Sequence, residues 1–368
     1  MKFVFILSGL KSAGLENYLL RFLTFCNSLD KDYHFTIICR GSFEDFNGTL
    51  HDKFLDLGVE LIHLPMKLSS LSGYLSLYKL FKNINSDVVV DFSGYLAGPT
   101  MFLAWHTNIS VRIAAYRESR YQFKMNFLKK LYVIVSKKLI IAFSTKIISN
   151  SKSAFDFFHK DYELNTKFRV IKNSINKPKE VSLIQQQNFL QKYQIPDEAF
   201  VIGHVGRFTP AKNHKSICEV IKSINKIDQS IYFILCGEGV CRGMNSLSGS
   251  LSNVIYIDHL SDLNVLYSCL DLFYFPSVNE GQPNVLLEAM SAGVAIIASN
   301  ISPIIDSIPK EACEFLVDPC NSASNVKKIL ELRENRSLYP FQKVDQHMKE
   351  IYISERNFYF FLNELSGV

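Results

Sequence analysis

Short apolar runs alternate with amphipathic stretches along this chain, and they do so in two successive passes. In the first half the runs fall at residues 3–7, 35–39, 60–63, 88–91, 111–116, 146–149 and 168–171, with helical patterns such as 15–29 and 74–83 between them. Runs that keep no period-two alternation suit strands buried on both faces, and parallel strands need a helical crossover to return. The pattern predicts an α/β, doubly wound domain. From Asn176 to Glu198 a polar stretch with Pro178, Gln185 to Gln187 and Pro196 reads as a connection holding a short helix. The alternation then restarts, with strands expected at 200–204, 232–236, 254–257, 272–275, 295–298 and 314–317. The expected organisation is an N-terminal Rossmann-like domain over 1–175, a linker over 176–198, a C-terminal Rossmann-like domain over 199–344, and a last helix within 345–368 that packs back on the N-terminal domain. At roughly 100–200 residues per domain, 368 residues fit two. In open α/β sheets ligands sit at the carboxyl ends of strands, so residues directly after strands carry the functional information, and two such halves suggest a cleft between two sheets.

Composition removes several classes. A formal charge of +5 does not mark a nucleic-acid binder. The basic residues are uneven, however: Lys124, Lys129, Lys130, Lys137, Lys138 and Lys146 occur with no acidic residue among them. The eight cysteines form no CxxC pair and sit mostly beside apolar residues, which reads as buried, reduced thiols and a cytoplasmic location. The apolar run after Lys2 is too short for a signal peptide, being interrupted by Ser8, Gly9 and Lys11. No run of about 18 apolar residues occurs; Lys137 and Lys138 break the longest, 131–143.

Two motifs follow predicted strands. The first is Gly206-Arg207-Phe208-Thr209-Pro210-Ala211-Lys212-Asn213. Gly206 lets the backbone turn close to a ligand. Arg207 offers a bidentate fork and Lys212 a compact charge, which together suit a diphosphate, although two cations on a solvated loop would read the same way. The second runs from Glu280 through Gly281, Gln282, Pro283, Asn284 and Val285 to Glu288, then Ala289-Met290-Ser291-Ala292-Gly293. Gly281 and Pro283 open a helix near Asn284 whose free N–H groups make an anion site. A carboxylate one turn inside, Glu288, suits vicinal hydroxyls such as those of a ribose. The plainer alternative is that Glu280 caps the helix and Glu288 lies on the surface.

Glu280 and Glu288, seven residues apart and followed by Ala-Met-x-x-Gly, resemble the E-x7-E signature of the retaining family 4 glycosyltransferases with the GT-B fold. The Gly206-Arg207-x4-Lys212 block, Gly237-Glu238-Gly239-x-x-Arg242 and the run Asp271 to Ser277 resemble the family's other elements in order. Ser12-Ala13-Gly14-Leu15-Glu16 looks like its first glycine loop, and Asn150-Ser151 and Asn173-Ser174 match positions after later strands. The resemblance implies a metal-independent enzyme without a bound cofactor, whose N-terminal domain takes the acceptor and whose C-terminal domain holds a nucleotide-diphosphate sugar, UDP-linked in preference to GDP-linked. It implies that Arg207 and Lys212 bind the diphosphate, Glu288 the ribose, and Glu280 the donor sugar. Gly206, Gly237 and the backbone from Gly281 through Gln282, Pro283 and Asn284 to Val285 would complete the cradle, and Gly14 would approach from the other domain.

The sequence departs from the family at two places. No His ends strand 88–91 or 111–116; Arg117 and Glu118 follow the latter and are the candidates for part of the sugar or acceptor contact, while His106 reads as structural. Asp258 stands where the family has Gly, in the region of the base. The stretch 121–143 interleaves lysines with large apolar residues. It reads either as a core helix with a solvated basic face or as a surface leaning on anionic lipid, which would suit a polyprenyl-diphosphate-linked glycan acceptor at the inner face of the membrane. The resemblance implies retention and a role in bacterial capsule, O-antigen or exopolysaccharide synthesis. A GT-B-fold epimerase and a non-catalytic sugar-nucleotide-binding subunit stay open as alternatives.

Overall fold

The computed structural model describes every residue except 68–69, 122–124, 249–250, 252, 261, 354 and 368. The chain divides into two units, Met1–Ser174 with Glu355–Val368, and Ile175–Ser354.

The first unit is built on β1 (Lys2–Leu7), β2 (His34–Cys39), β3 (Glu60–His63), β4 (Val88–Asp91), β5 (Val111–Tyr116), β6 (Lys146–Ser149) and β7 (Phe168–Val170). The strands lie in the order β3-β2-β1-β4-β5-β6-β7, and every ladder is parallel. Phe3 and Phe5 face one apolar layer and Val4 and Ile6 the other, so both faces of β1 are buried. That is why the run shows no alternation. The order reverses between β1 and β4, which puts the unit's ligand crevice outside the carboxyl ends of those two strands.

The second unit repeats the plan with β8 (Phe200–Val205), β9 (Ile231–Cys236), β10 (Val254–Ile257), β11 (Leu272–Phe275), β12 (Ala295–Ser299) and β13 (Leu316–Val317). Their order is β10-β9-β8-β11-β12-β13, again parallel, with the reversal between β8 and β11. The polar connection carries a helix, Leu183–Lys192, fixed at its start by a capping box between Ser182 and Gln185.

The end of the chain differs from the single helix expected within 345–368. Two helices are present, Phe341–Ile351 and Arg356–Ser366. The first buries Val344 and Met348 in the core of the second unit. The other buries Phe358, Phe361, Leu362 and Leu365 in the core of the first. One straight helix cannot serve two cores, and the chain breaks where the Tyr352 carbonyl accepts the Ile175 N–H. In the first unit Phe22 and Phe361 pack edge to face at 4.8 Å, and Glu364 pairs with Lys146 and Arg169.

The cysteines are unpaired, but only Cys26, Cys39, Cys218 and Cys236 are buried; Cys320 is exposed. The helix Phe127–Phe143 also departs from a core helix with a basic face. It buries only Val133, Ser136 and Ile140. Its close docking comes from Gly98, where any Cβ would stand 2.3 Å from the Ser136 carbonyl oxygen. Its outer face carries exposed Phe127, Leu128, Leu131, Ile134 and Val135 beside exposed Lys129, Lys130 and Lys138. Phe123 and Lys124 lie outside the described residues. Among the described residues no helix is long and apolar enough to cross a membrane.

Candidate functional site

At the carboxyl ends of β8, β9 and β11 three loops are stitched together by backbone. The Gly206 N–H donates to the Cys236 carbonyl at 2.8 Å and the Phe208 N–H to Glu238 at 2.9 Å. Gly237 has φ +152°, and a Cβ there would lie 2.2 Å from the Gly206 carbonyl oxygen. Glycine is required at 237 because no side chain fits between these loops. The Val278 N–H donates to Ala211 at 2.8 Å. Asn213, in the left-handed region at φ 56°, donates through Nδ2 to the carbonyls of Pro276 and Pro319.

This frame holds Lys212 and Glu280 together. Lys212 Nζ donates to Glu280 Oε1 at 2.6 Å and lies 4.7 Å from the centroid of the Phe275 ring. The side chains are 19% and 11% exposed, so the pair is shielded yet reachable. Glu280 is therefore not a helix cap. The helix Asn284–Ser291 opens behind Pro283, which makes no side-chain cap bond. Gly281, Gln282, Pro283 and Asn284 are buried, and Val285 is half-buried. Glu288 sits one turn in; its Oε2 accepts from the Tyr267 hydroxyl at 3.4 Å, and the same hydroxyl donates to the Val285 carbonyl at 3.2 Å. Glu288 is half-buried, not a surface residue. Arg207 is exposed and carries no ion pair among the described residues. The C-terminal unit thus brings Gly206, Gly237, Lys212 and Glu280 into contact, with Glu288 and the opening of its helix on the same β11 crossover. Asp258 is exposed and accepts from the Cys241 N–H at 2.9 Å, at the first turn of the helix Val240–Ser248.

Two sites of the N-terminal unit lie at carboxyl ends of its own sheet. Gly14 begins the helix Gly14–Ser28, with Ala13 as its N-cap. Arg117 directly follows β5 and is largely enclosed: its guanidinium lies 4.5 Å from the centroid of the Tyr18 ring and 5.2 Å from that of Phe92, and Nη1 donates to Asn173 Oδ1. His106 is exposed at a helix end, beside Tyr78, Phe102 and Trp105.

Sequence reasoning missed two polar clusters. Arg40, after β2, pairs with the fully buried Asp91 that ends β4 and donates to Thr100 Oγ1 at 2.8 Å. A lone carboxylate closing the run Val88-Val89-Val90 was its signal. His204 is buried within β8, its Nδ1 donating to the Tyr274 carbonyl at 3.0 Å and its ring 5.2 Å from that of His214. Burial holds both imidazoles neutral, His204 down to about 3 and His214 to about 4.

Residues 185–350 match the family of glycosyl transferases group 1. The capsular polysaccharide biosynthesis glycosyltransferase CapH of Staphylococcus aureus is 26% identical, over 96% of this chain and 99% of that one. A UDP-Gal:alpha-D-GlcNAc-diphosphoundecaprenol alpha-1,3-galactosyltransferase of Escherichia coli is 24% identical over 90% and 87%. Anabaena HepE, solved in complex with UDP and glucose, superposes with a TM-score of 0.81 at 16% identity over the full length of both chains. WaaG, a glycosyltransferase of lipopolysaccharide biosynthesis, gives 0.71 over the full length of both.

Two outcomes test this geometry. Lys212→Met removes the cation paired with the enclosed Glu280 carboxylate and is expected to cost about 3 kcal/mol; Lys212→Met with Glu280→Gln should recover most of it, and additive losses in urea titrations would refute the pairing. The second concerns pH. With folded values near 3 and 4 against an ordinary 6.5, the unfolded chain takes up protons that the folded one refuses. The stabilisation is complete above pH 6.5 and is lost as pH falls toward 4, so the melting temperature drops across that window and His204→Phe should flatten the drop.

Proposed function

We propose that this glycosyltransferase of GT-B fold, whose residues 185–350 match the glycosyl transferases group 1 family, moves a sugar from a UDP-sugar to a glycan or polyprenyl-diphosphate-linked glycan during bacterial surface-polysaccharide assembly. The observation that carries this reading is the enclosed Lys212–Glu280 pair on the loops that lead to the Asn284 helix, with Glu288 one turn inside. The activity of the Escherichia coli relative and the UDP bound to HepE support the choice of donor and acceptor.

In this reading the donor diphosphate engages Arg207 and draws Lys212 from Glu280. The released carboxylate then turns to the hydroxyls of the donor sugar, and Glu288 takes those of the ribose. Gly206, Gly237 and the N–H groups of Gly281, Gln282, Asn284 and Val285 line the cradle. As the bond from the sugar's anomeric carbon to the phosphate oxygen breaks, negative charge grows on that oxygen. Arg207, Lys212 and the helix N-terminus stabilise it without a metal ion. The acceptor hydroxyl attacks from the same face, and its proton passes to the leaving phosphate, which gives retention with no separate base. An inverted anomeric centre in the product, read by NMR coupling constants, would exclude this route.

The face of the Phe127–Phe143 helix, apolar with lysines and no acidic residue, is the proposed contact with anionic lipid. It is continued by exposed Trp105, which packs 4.9 Å from the Phe143 ring centroid. Apolar insertion and lysine attraction act together there. The protein is expected to co-sediment with phosphatidylglycerol vesicles and to come off in high salt; Leu131→Glu with Ile134→Glu should abolish binding, and equal binding to neutral vesicles would contradict the reading.

Donor binding is tested by calorimetry with UDP, GDP, CDP and ADP, without metal and with magnesium. UDP is expected to bind metal-free, and Glu288→Ala to weaken it tenfold to a hundredfold, the equivalent of about 1.5–3 kcal/mol for hydrogen bonds to a charged group. Absence of binding to all four would sink the proposal.

A further inference from the structure

We propose that Arg117 forms an oxyanion subsite in the N-terminal unit, completed by a phosphate or carboxylate carried by a substrate; the inference rests on the transferase reading above. The unit encloses two arginines near its switch point, and they differ in one respect. Arg40 is paired with the Asp91 carboxylate. Among the described residues the partners of Arg117 are neutral: the ring and hydroxyl of Tyr18, the face of Phe92, and the Asn173 amide oxygen. No carboxylate pairs with it among the described residues, and its Nε is buried without a partner. Burial pushes the guanidinium's proton affinity down, and Tyr18 only partly restores it.

A guanidinium taken from water and left without a counter-charge is destabilising unless a ligand supplies one. The aromatic faces fix its plane, so a planar fork is held ready for a bidentate oxyanion. Tyr18 belongs to the 15-residue helix Gly14–Ser28, whose first turn carries the buried Glu16. The start of that helix and Arg117 both lie at the carboxyl ends of β1, β4 and β5, around the crevice where the strand order reverses, and there Arg117 supplies the charge for an oxyanion. Two substrates would bring an oxyanion there: a donor whose sugar bears a carboxylate, or an acceptor whose glycan is joined to a lipid through phosphate.

The subsite is tested first by thermal unfolding of the full chain in inorganic phosphate against chloride of equal ionic strength. The background is Arg207→Met, so that the exposed cation of the other unit does not respond. Phosphate is expected to raise the melting temperature with Arg117 present. With Arg117→Met added, the phosphate response should vanish while stability in chloride is kept or raised; Arg117→Lys should keep a reduced response. The same phosphate response in all three proteins would overturn the subsite. UDP calorimetry on the wild-type protein and on Arg117→Met alone, both with Arg207 intact, reports the donor site separately, so failure of the transferase reading is seen as absent nucleotide binding and not as lost phosphate response.

Kinetics then separate the sources. A tenfold or larger rise in KM for a diphosphate-linked acceptor in Arg117→Lys, with kcat and the KM of a neutral alkyl-glycoside acceptor unchanged, assigns the acceptor phosphate. Loss of a preference for UDP-glucuronate over UDP-glucose assigns the donor carboxylate. Unchanged ratios in both comparisons would make Arg117 a packing cation and overturn the proposal.

Discussion

The site in the C-terminal unit depends on a contact between backbones. The Gly206 carbonyl fills the space where a Cβ of residue 237 would stand, and hydrogen bonds from Gly206, Phe208 and Val278 tie the three loops to each other. With the loops locked, Lys212 and Glu280 meet although 68 residues separate them. In the proposed reading this pair is the resting state of a switch in charge partner: a donor diphosphate would compete for the lysine and turn the carboxylate toward the sugar hydroxyls. An enclosed pair of this kind adds little net stability but is costly to break from one side only, which suits a ligand that engages both members.

The two units answer the same physical problem with different charges. Both use parallel sheets buried on both faces, with a reversal of strand order that opens a crevice. In the C-terminal unit the enclosed cation already has its carboxylate. In the N-terminal unit Arg40 has one in Asp91, while among the described residues Arg117 is held by two rings, a phenol hydroxyl and an amide. It is there that the proposed substrate oxyanion would balance the charge.

Much of this was legible in the sequence because of how burial writes itself. All thirteen strands were readable as apolar runs, since parallel strands covered on both faces tolerate few polar residues. The motifs Gly206 to Lys212 and Glu280 to Glu288 stood out because they directly follow such runs. What sequence could not give were partners across the fold. Nothing in the local pattern says that Lys212 reaches Glu280, that Asp91 answers Arg40, or that His204 lies against His214. The end of the chain misled for a related reason. Apolar periodicity continues from Val344 to Leu365, yet its two halves belong to separate cores, and only the packing reveals the break at Tyr352. The helix Phe127–Phe143 misled in the opposite direction, because apolar residues at helical spacing do not say whether they face a core or solvent.

The most direct test of the account is a crystal structure of the protein with UDP bound. The account requires the diphosphate within hydrogen-bond reach of Arg207 and Lys212, the ribose hydroxyls on Glu288, and the Lys212–Glu280 bond lengthened or broken. UDP lodged away from the loops after β8 and β11, with Lys212 and Glu280 still joined, would contradict it.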